Sequence, residues 1–290
     1  MTMGKKNVLA VMGGSGLYDI DGLTHLEELR VDTPFGPPSD SIVSGQLGDT
    51  GMLFLPRHGR GHRIAPHEID FRANVCAMKK LGATHLVSVS AVGSMKEEIV
   101  PGDFVVVDQF VDLTKGRRST FFDEGMVGHV TFADPVCEHL SAALVRAARG
   151  AGARVHEGGA YVCIEGPQFS TRAESRIYRS WGVSVIGMTA MPEAKLAREA
   201  ELPYALLALA TDYDCWHETE EDVTVDAVLA LLERNVSTAR RAVAKLAADL
   251  PDPSASRASS ALAPALITAR ERIPPATRAR LSWLVDKYLH

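Results

Sequence analysis

The sequence predicts an α/β fold, a sheet whose strands alternate with helices, and three observations carry that expectation. Short apolar runs, residues 204–210 the clearest, are long enough for buried strands and too short to cross a membrane. Between them lie segments with apolar residues at three-and-four spacing and recognisable caps. Several runs also stop at residues with ligand chemistry, and α/β sheets bind ligands just beyond the carboxyl ends of their strands. The chain of 290 residues is 46% hydrophobic and 23% charged, enough for one large α/β domain or two small ones.

Composition narrows the function classes. A formal net charge of −5 with no long basic run gives no electrostatic footprint for nucleic acid. Cys76, Cys137, Cys163 and Cys215 are scattered with no CxxC pair, which argues against a zinc site and fits reduced thiols in the cytosol. Lys5-Lys6 precede a short apolar stretch that runs into Gly13-Gly14 without a small-residue cleavage site. It reads as a first strand, not a signal peptide, so a cytoplasmic protein with no membrane contact is expected.

Taken in order, residues 7–12 form a strand buried on both faces, followed by Gly13-Gly14-Ser15-Gly16. Such a turn lets backbone N–H groups approach an anion, with Ser15 adding a hydroxyl, although Asp19 stands where a dinucleotide fingerprint needs its third glycine. Residues 41–55 read as a hairpin ending in Pro56-Arg57-His58-Gly59-Arg60-Gly61-His62. Arg57 brings a planar fork suited to phosphate, with His58 beside it; Arg60 reads as solvated. Metal ligation by His58 and His62 at helical spacing is disfavoured by the glycines between them.

A helix over 68–81 closes at Gly82, and the strand 85–90 runs into Ala91-Val92-Gly93-Ser94. A strand over 104–110 leads to the polar stretch 112–130, either an active-site or subunit-contact segment or a surface loop. A helix over 135–150 and a strand over 159–164 follow. Thr171 and Glu174 then form a capping box for a helix over 172–181. Phe169, just before it, is either a hydrophobic staple or an exposed aromatic for a planar ring. A short strand 183–186 ends at Gly187-Met188-Thr189, and a helix over 193–201 leads into the strand 204–210. A helix from Val225 to about 250 carries an apolar stripe with Val225 and Val228 in its first turn. Residues 251–264 read as an Ala/Ser/Pro-rich linker before a last helix over 276–289.

The strand 204–210 ends at Asp212 and Asp214, whose spacing puts both side chains on one face of an extended chain. Such a pair either donates a proton and reads a ligand edge, or forms an Asx turn capping the next segment. The spacing alone leaves both open.

The segments GGSGL, VDTPFG, PRHGRGH, SAVGS, EEIVPGD, IEGPQFSTRAES, GMTAMPEAKLAREA and ATDYDCW, in that order, resemble the trimeric purine nucleoside phosphorylase family, and within it the 5′-methylthioadenosine phosphorylase branch. The resemblance implies a single three-layer domain over 1–250, a central mixed sheet flanked by helices, with 251–290 packing on the body or on a neighbouring subunit. It further implies phosphate held by Ser15, Arg57, His58, Ser90, Ala91 and Thr189. Met188 is expected under the ribose, with Phe169 and Ser170 at the base, Asp212 and Asp214 on its edge, and Val225 and Val228 at the 5′ end. His129 resembles a residue lent across a homotrimer interface. Gly187 stands where relatives carry a polar residue, so that contact is expected to be missing. The implied reaction is phosphorolysis of an N-glycosidic bond without cofactor or metal, phosphate being the co-substrate. Two aspartates suit a 6-amino purine, because an ionised carboxylate accepts from the amino group and a protonated one donates to N7. A 6-oxopurine or methylthioinosine phosphorylase and a non-catalytic nucleoside-binding protein are the alternatives.

Overall fold

The computed structural model describes residues 7–14, 16–217 and 225–289, without the side chains of 225–230 and 232–234. Its strands are β1 (Val8–Gly13), β2 (Thr24–Leu29), β3 (Ile42–Leu47), β4 (Thr50–Pro56), β5 (His85–Ser94), β6 (Phe104–Val106), β7 (Gln109–Asp112), β8 (Val155–Glu157), β9 (Ala160–Cys163), β10 (Val185–Gly187) and β11 (Tyr204–Asp212). The helices are α1 (Phe71–Lys80), α2 (Glu138–Gly150), α3 (Arg172–Ser180), α4 (Ala190–Glu199), α5 (Val225–Ala248) and α6 (Pro275–Val285). All the described strands belong to one mixed sheet with the path β2-β3-β4-β1-β5-β10-β9-β7, while β11 pairs with β5 and β6, and β6 with β8.

Alternation along the strands explains the three layers. In β1, Ala10 and Met12 face one core while Leu9 and Val11 face the other. β11 does the same, with Leu206 and Ala208 on the first side and Leu207 and Leu209 on the second. The first core is closed by Val75 and Met78 of α1, Leu196 of α4 and Leu281 of α6; the second by Leu144 of α2 and Val243 of α5. A side chain fully withdrawn from water on such a face contributes about 2 kcal/mol, so a helix layer on each side is what the two-sided apolar runs demand.

β5 is the axis of the site. It is ten residues long and pairs in parallel with β1 near its start, in parallel with β11, and antiparallel with β10 at its end. The segment Ala91–Ser94, expected after a strand, is therefore inside it. The single strand expected over 104–110 divides into β6, which pairs with β11 and β8, and β7, which pairs with β9.

The tail is not a linker. Residues 251–264 carry 3-10 turns at Pro253–Ala255 and Arg257–Ser260, with Ala258 and Leu262 buried. Glu201 receives the Leu262 N–H at 3.0 Å, the Tyr288 hydroxyl at 2.6 Å and Lys287 at 2.5 Å, fastening the end of the chain to the turn after α4. The long 112–130 segment is equally fixed, with Phe121 and Met126 buried and the Trp283 ring of α6 edge-on to Phe121 at 5.2 Å.

Candidate functional site

Parallel pairing brings the ends of β1 and β4 beside the middle of β5, and antiparallel β10 delivers the start of α4 to the same place. Ser90 of β5 and Thr189 at the start of α4 meet there, their hydroxyls 3.2 Å apart and both residues buried. Ala91 lies half-buried beside them. Ser15 lies outside the described residues.

Arg57 is not the open fork the sequence suggests. Its guanidinium is 2% exposed and donates to the Glu193 carboxylate at 3.3 Å, to the Met12 and Val89 carbonyls at 2.7 and 3.0 Å, and to the Ser88 hydroxyl at 2.6 Å. Glu193, fully buried, also receives the Tyr204 hydroxyl at 3.0 Å. A buried charge is tolerated only when paired and hydrogen-bonded, and here those bonds fix the end of β1 and the middle of β5 to α4. His58 is half-buried, its Nδ1 2.9 Å from the Ile64 carbonyl and its ring stacked on His62 at 4.2 Å. A carbonyl can only accept, so the neutral ring carries its proton on Nδ1 and keeps a lone pair on Nε2. Burial lowers its pKa to about 4, which keeps the ring neutral at pH 7. Among the described residues no group of His, Cys, Asp and Glu could hold a metal ion.

The acids lie farther along β5. Asp212 is paired with Gly93, three residues beyond Ser90, so the two chemistries stand ~10 Å apart at the usual strand rise. The pairing shifts register between Ala210 and Asp212, and Asp214 follows in the left-handed region with φ 53°. The extended-chain expectation of two acids on one face is thus replaced by an Asx turn: Asp212 Oδ1 accepts the Asp214 N–H at 2.8 Å. Turn and ligand chemistry coexist. Asp214 is buried, and its Oδ2 accepts the Ser175 hydroxyl of α3 at 2.5 Å; Asp212 is only half-buried. Burial raises both pKa values above the usual carboxylate range, and the neighbouring Asp212 charge raises Asp214 further. Thr211 sits between two acceptors, the Val92 carbonyl at 3.2 Å and Asp212 Oδ2 at 2.7 Å. With one proton it can donate to Val92 and still accept from a protonated Asp212.

The backbone approaches closely under this pair. A Cβ on Gly93 would lie 2.9 Å from Asp212 Oδ1 and 3.3 Å from Asp214 Cβ. Over the site, Arg117 of the long segment donates to Glu165 Oε1 at 2.7 Å, to the Glu165 carbonyl at 2.6 Å and to the Met188 carbonyl at 2.8 Å. It clamps the 165–170 segment to Met188, whose Sδ would touch a Cβ on Gly166. Phe169 is 47% exposed and two positions before the Thr171 cap, not in the staple position. The Ser170 hydroxyl is buried, and among the described residues it has no hydrogen-bond partner.

Val225 and Val228 open α5, but their side chains lie outside the described ones. His129 is exposed, its N–H donated to the Ala265 carbonyl, so it is held by the tail. A separate cavity of about 730 Å³, lined by Cys137, Arg198 and Arg257 among others, includes none of these residues. Sequence reasoning missed Ser175, Thr211, Glu193 and Tyr161. Each acts through a neighbour distant in sequence or as an ordinary strand residue, and only the position of Thr211 beside the acids offered a local signal.

The model of the phosphorylase superfamily matches residues 8–248. The S-methyl-5′-thioadenosine phosphorylase of Geobacter sulfurreducens is 54% identical over 285 residues, covering 98% of this chain and 100% of its own. That of Hyperthermus butylicus is 52% identical, covering 87% and 92%. A methylthioadenosine phosphorylase structure from an Antarctic soil metagenomic library superposes with TM-score 0.90 at 46% identity, covering 97% and 99%. The Schistosoma mansoni methylthioadenosine phosphorylase in complex with adenine gives 0.82 at 37%, covering 97% and 98%.

Proposed function

Since the chain belongs to the phosphorylase superfamily, we propose that its strand ends form a phosphorolytic nucleoside site acting on 5′-methylthioadenosine. The protein is a pentosyltransferase that converts 5′-methylthioadenosine and phosphate to adenine and 5-methylthioribose 1-phosphate. The observation that carries the site assignment is the spacing along β5: paired hydroxyls at Ser90 and Thr189, and, three residues farther on, half-buried Asp212 with buried Asp214.

Phosphate binds at Ser90, Ala91 and Thr189, with Ser15 as a further hydroxyl. The His58 Nε2 lone pair accepts from a protonated phosphate oxygen, and Arg57 holds the strand ends in place. Met188 supports the ribose, Phe169 and Ser170 meet the base, and Val225 and Val228 take the methylthio end. A phosphate oxygen attacks the anomeric carbon as the bond to N9 breaks, and the bonding pair passes into the purine. Fixed donors around the anion spare reorganisation as the ribosyl carbon becomes cationic. Asp212 gives its proton to N7 and so neutralises the leaving base; its raised pKa keeps that proton available near neutrality. Asp214, held by Ser175, accepts from the exocyclic amino group. No cofactor is needed beyond the phosphate co-substrate. Among the described residues no helix is long and apolar enough to cross a membrane; the proposed setting is the cytoplasm, with small molecules as the partners.

The test compares methylthioadenosine, methylthioinosine and inosine with and without phosphate. Adenine release strictly dependent on phosphate and fastest from methylthioadenosine is expected. A preference for inosine overturns the substrate assignment, and phosphate-independent release makes the protein a hydrolase.

A further inference from the structure

Tyr161 is one of the largest fully buried side chains, sits in β9 beside β10, and has no part in the chemistry described so far. Its hydroxyl lies where a side chain at Gly187 would begin: a Cβ there would be 2.0 Å from the Tyr161 oxygen and 2.7 Å from its Cζ. The phenol therefore takes up the volume that the glycine leaves empty. That hydroxyl accepts the Thr189 N–H at 3.5 Å and lies within reach of the Ser90 side chain. Ser90 in turn meets Thr189 Oγ1 at 3.2 Å. An oxygen that accepts an N–H must send its own proton elsewhere, and the Ser90 oxygen is the acceptor at hand. The Ser90 hydroxyl otherwise donates to the Ala91 carbonyl at 3.2 Å or shares a proton with Thr189; once it accepts from Tyr161, its single proton can turn from these partners toward an incoming anion, and the Thr189 proton can turn with it. Burial raises the phenol pKa, so the proton that starts this chain stays in place.

We propose that Tyr161 is a positioning residue for phosphate, orienting the Ser90 and Thr189 donors from within the volume that Gly187 vacates. The inference rests on the phosphorolytic reading of this site, and phosphate affinity is its direct readout. Tyr161→Phe keeps the ring and removes only the hydroxyl. The expected result is a rise of about tenfold in the phosphate KM and in the phosphate Kd by calorimetry, the size of one lost buried hydrogen bond. The nucleoside KM and the melting temperature should change little. A second variant pair moves the hydroxyl across. Gly187→Ser alone should lose activity through the clash with Tyr161, and Tyr161→Val with Gly187→Ser should recover phosphate affinity toward that of the parent. Unchanged phosphate affinity in Tyr161→Phe overturns the proposal, as does an equal loss in nucleoside and phosphate affinity accompanied by a lower melting temperature. Failure of the parent protein to cleave methylthioadenosine, with the phosphate Kd still raised in Tyr161→Phe, would instead count against the nucleoside reading alone.

Discussion

Asp212 and Asp214 are two residues apart yet differently committed. Asp214 is buried and tied to Ser175, whereas half-buried Asp212 is set in an Asx turn beside a hydroxyl with two acceptors. The proposed mechanism uses that asymmetry by giving the transferred proton to Asp212 and the acceptor role to Asp214. Asp212→Asn should lower turnover of adenine nucleosides by roughly a hundredfold or more, the usual scale for a general acid, and leave phosphate affinity near its starting value. A raised pKa holds the proton to higher pH, so activity should fall on the alkaline side as Asp212 ionises, and the variant should lose that limb. Equal losses in turnover and phosphate affinity would remove Asp212 from the donor role. The acids were legible because they end an apolar run at a spacing that chemistry uses. Their geometry was not, because a register shift and a left-handed residue at Asp214 depend on the pairing with β5. Arg57 shows the same limit: sequence supplies the fork but not Glu193, which reaches it from α4.

At the scale of elements, strands buried on both faces were legible, since runs such as residues 204–210 have no other soluble use. β2 escaped because its residues are nearly all exposed, and β8 because it is three residues long with neither face buried. The capping box of α3 was legible from Thr171 and Glu174 alone, and both reciprocal bonds are present. The end of α4 carries a property no spacing could reveal. Glu199 is buried, accepts the Thr120 hydroxyl and the Phe121 N–H at 2.7 Å each, and makes no ion pair among the described residues. Burial raises its pKa from 4.5 to about 7. The folded chain thus holds this proton more tightly than the unfolded one. The associated stability, on the order of 3 kcal/mol, is fully present below pH 4.5 and is lost as pH rises through about 7. Glu199→Gln should flatten the fall of melting temperature between those values; an unchanged slope would show that Glu199 does not titrate there.

At the scale of the molecule, the tail was the least legible part. Its Ala, Ser and Pro content is that of a linker, and only the folded body supplies Glu201 and the Phe121 ring that it covers. The tail also presents a surface. Ile267 is 62% and Val127 43% exposed, joined by the Ile267 N–H to the Val127 carbonyl at 3.2 Å, with exposed His129 beside them. Phe169, Ile177 and Trp181 form a second set of exposed apolar side chains around α3. Two different patches of this kind suit a head-to-tail ring, in which His129 reaches a neighbour's site. A solution mass of three chains is expected for the parent. Val127→Asp with Ile267→Asp should shift it to one chain and reduce activity, whereas a one-chain mass for the parent would end the ring model.

The glycine under the acids has a consequence for redesign. A methyl placed on Gly93 would lie 2.9 Å from both the Asp212 oxygen and Ile186, so this position beneath the acids admits no side chain. Libraries aimed at new leaving groups should therefore leave Gly93 untouched and vary exposed Phe169, where a side chain meets open space rather than the sheet.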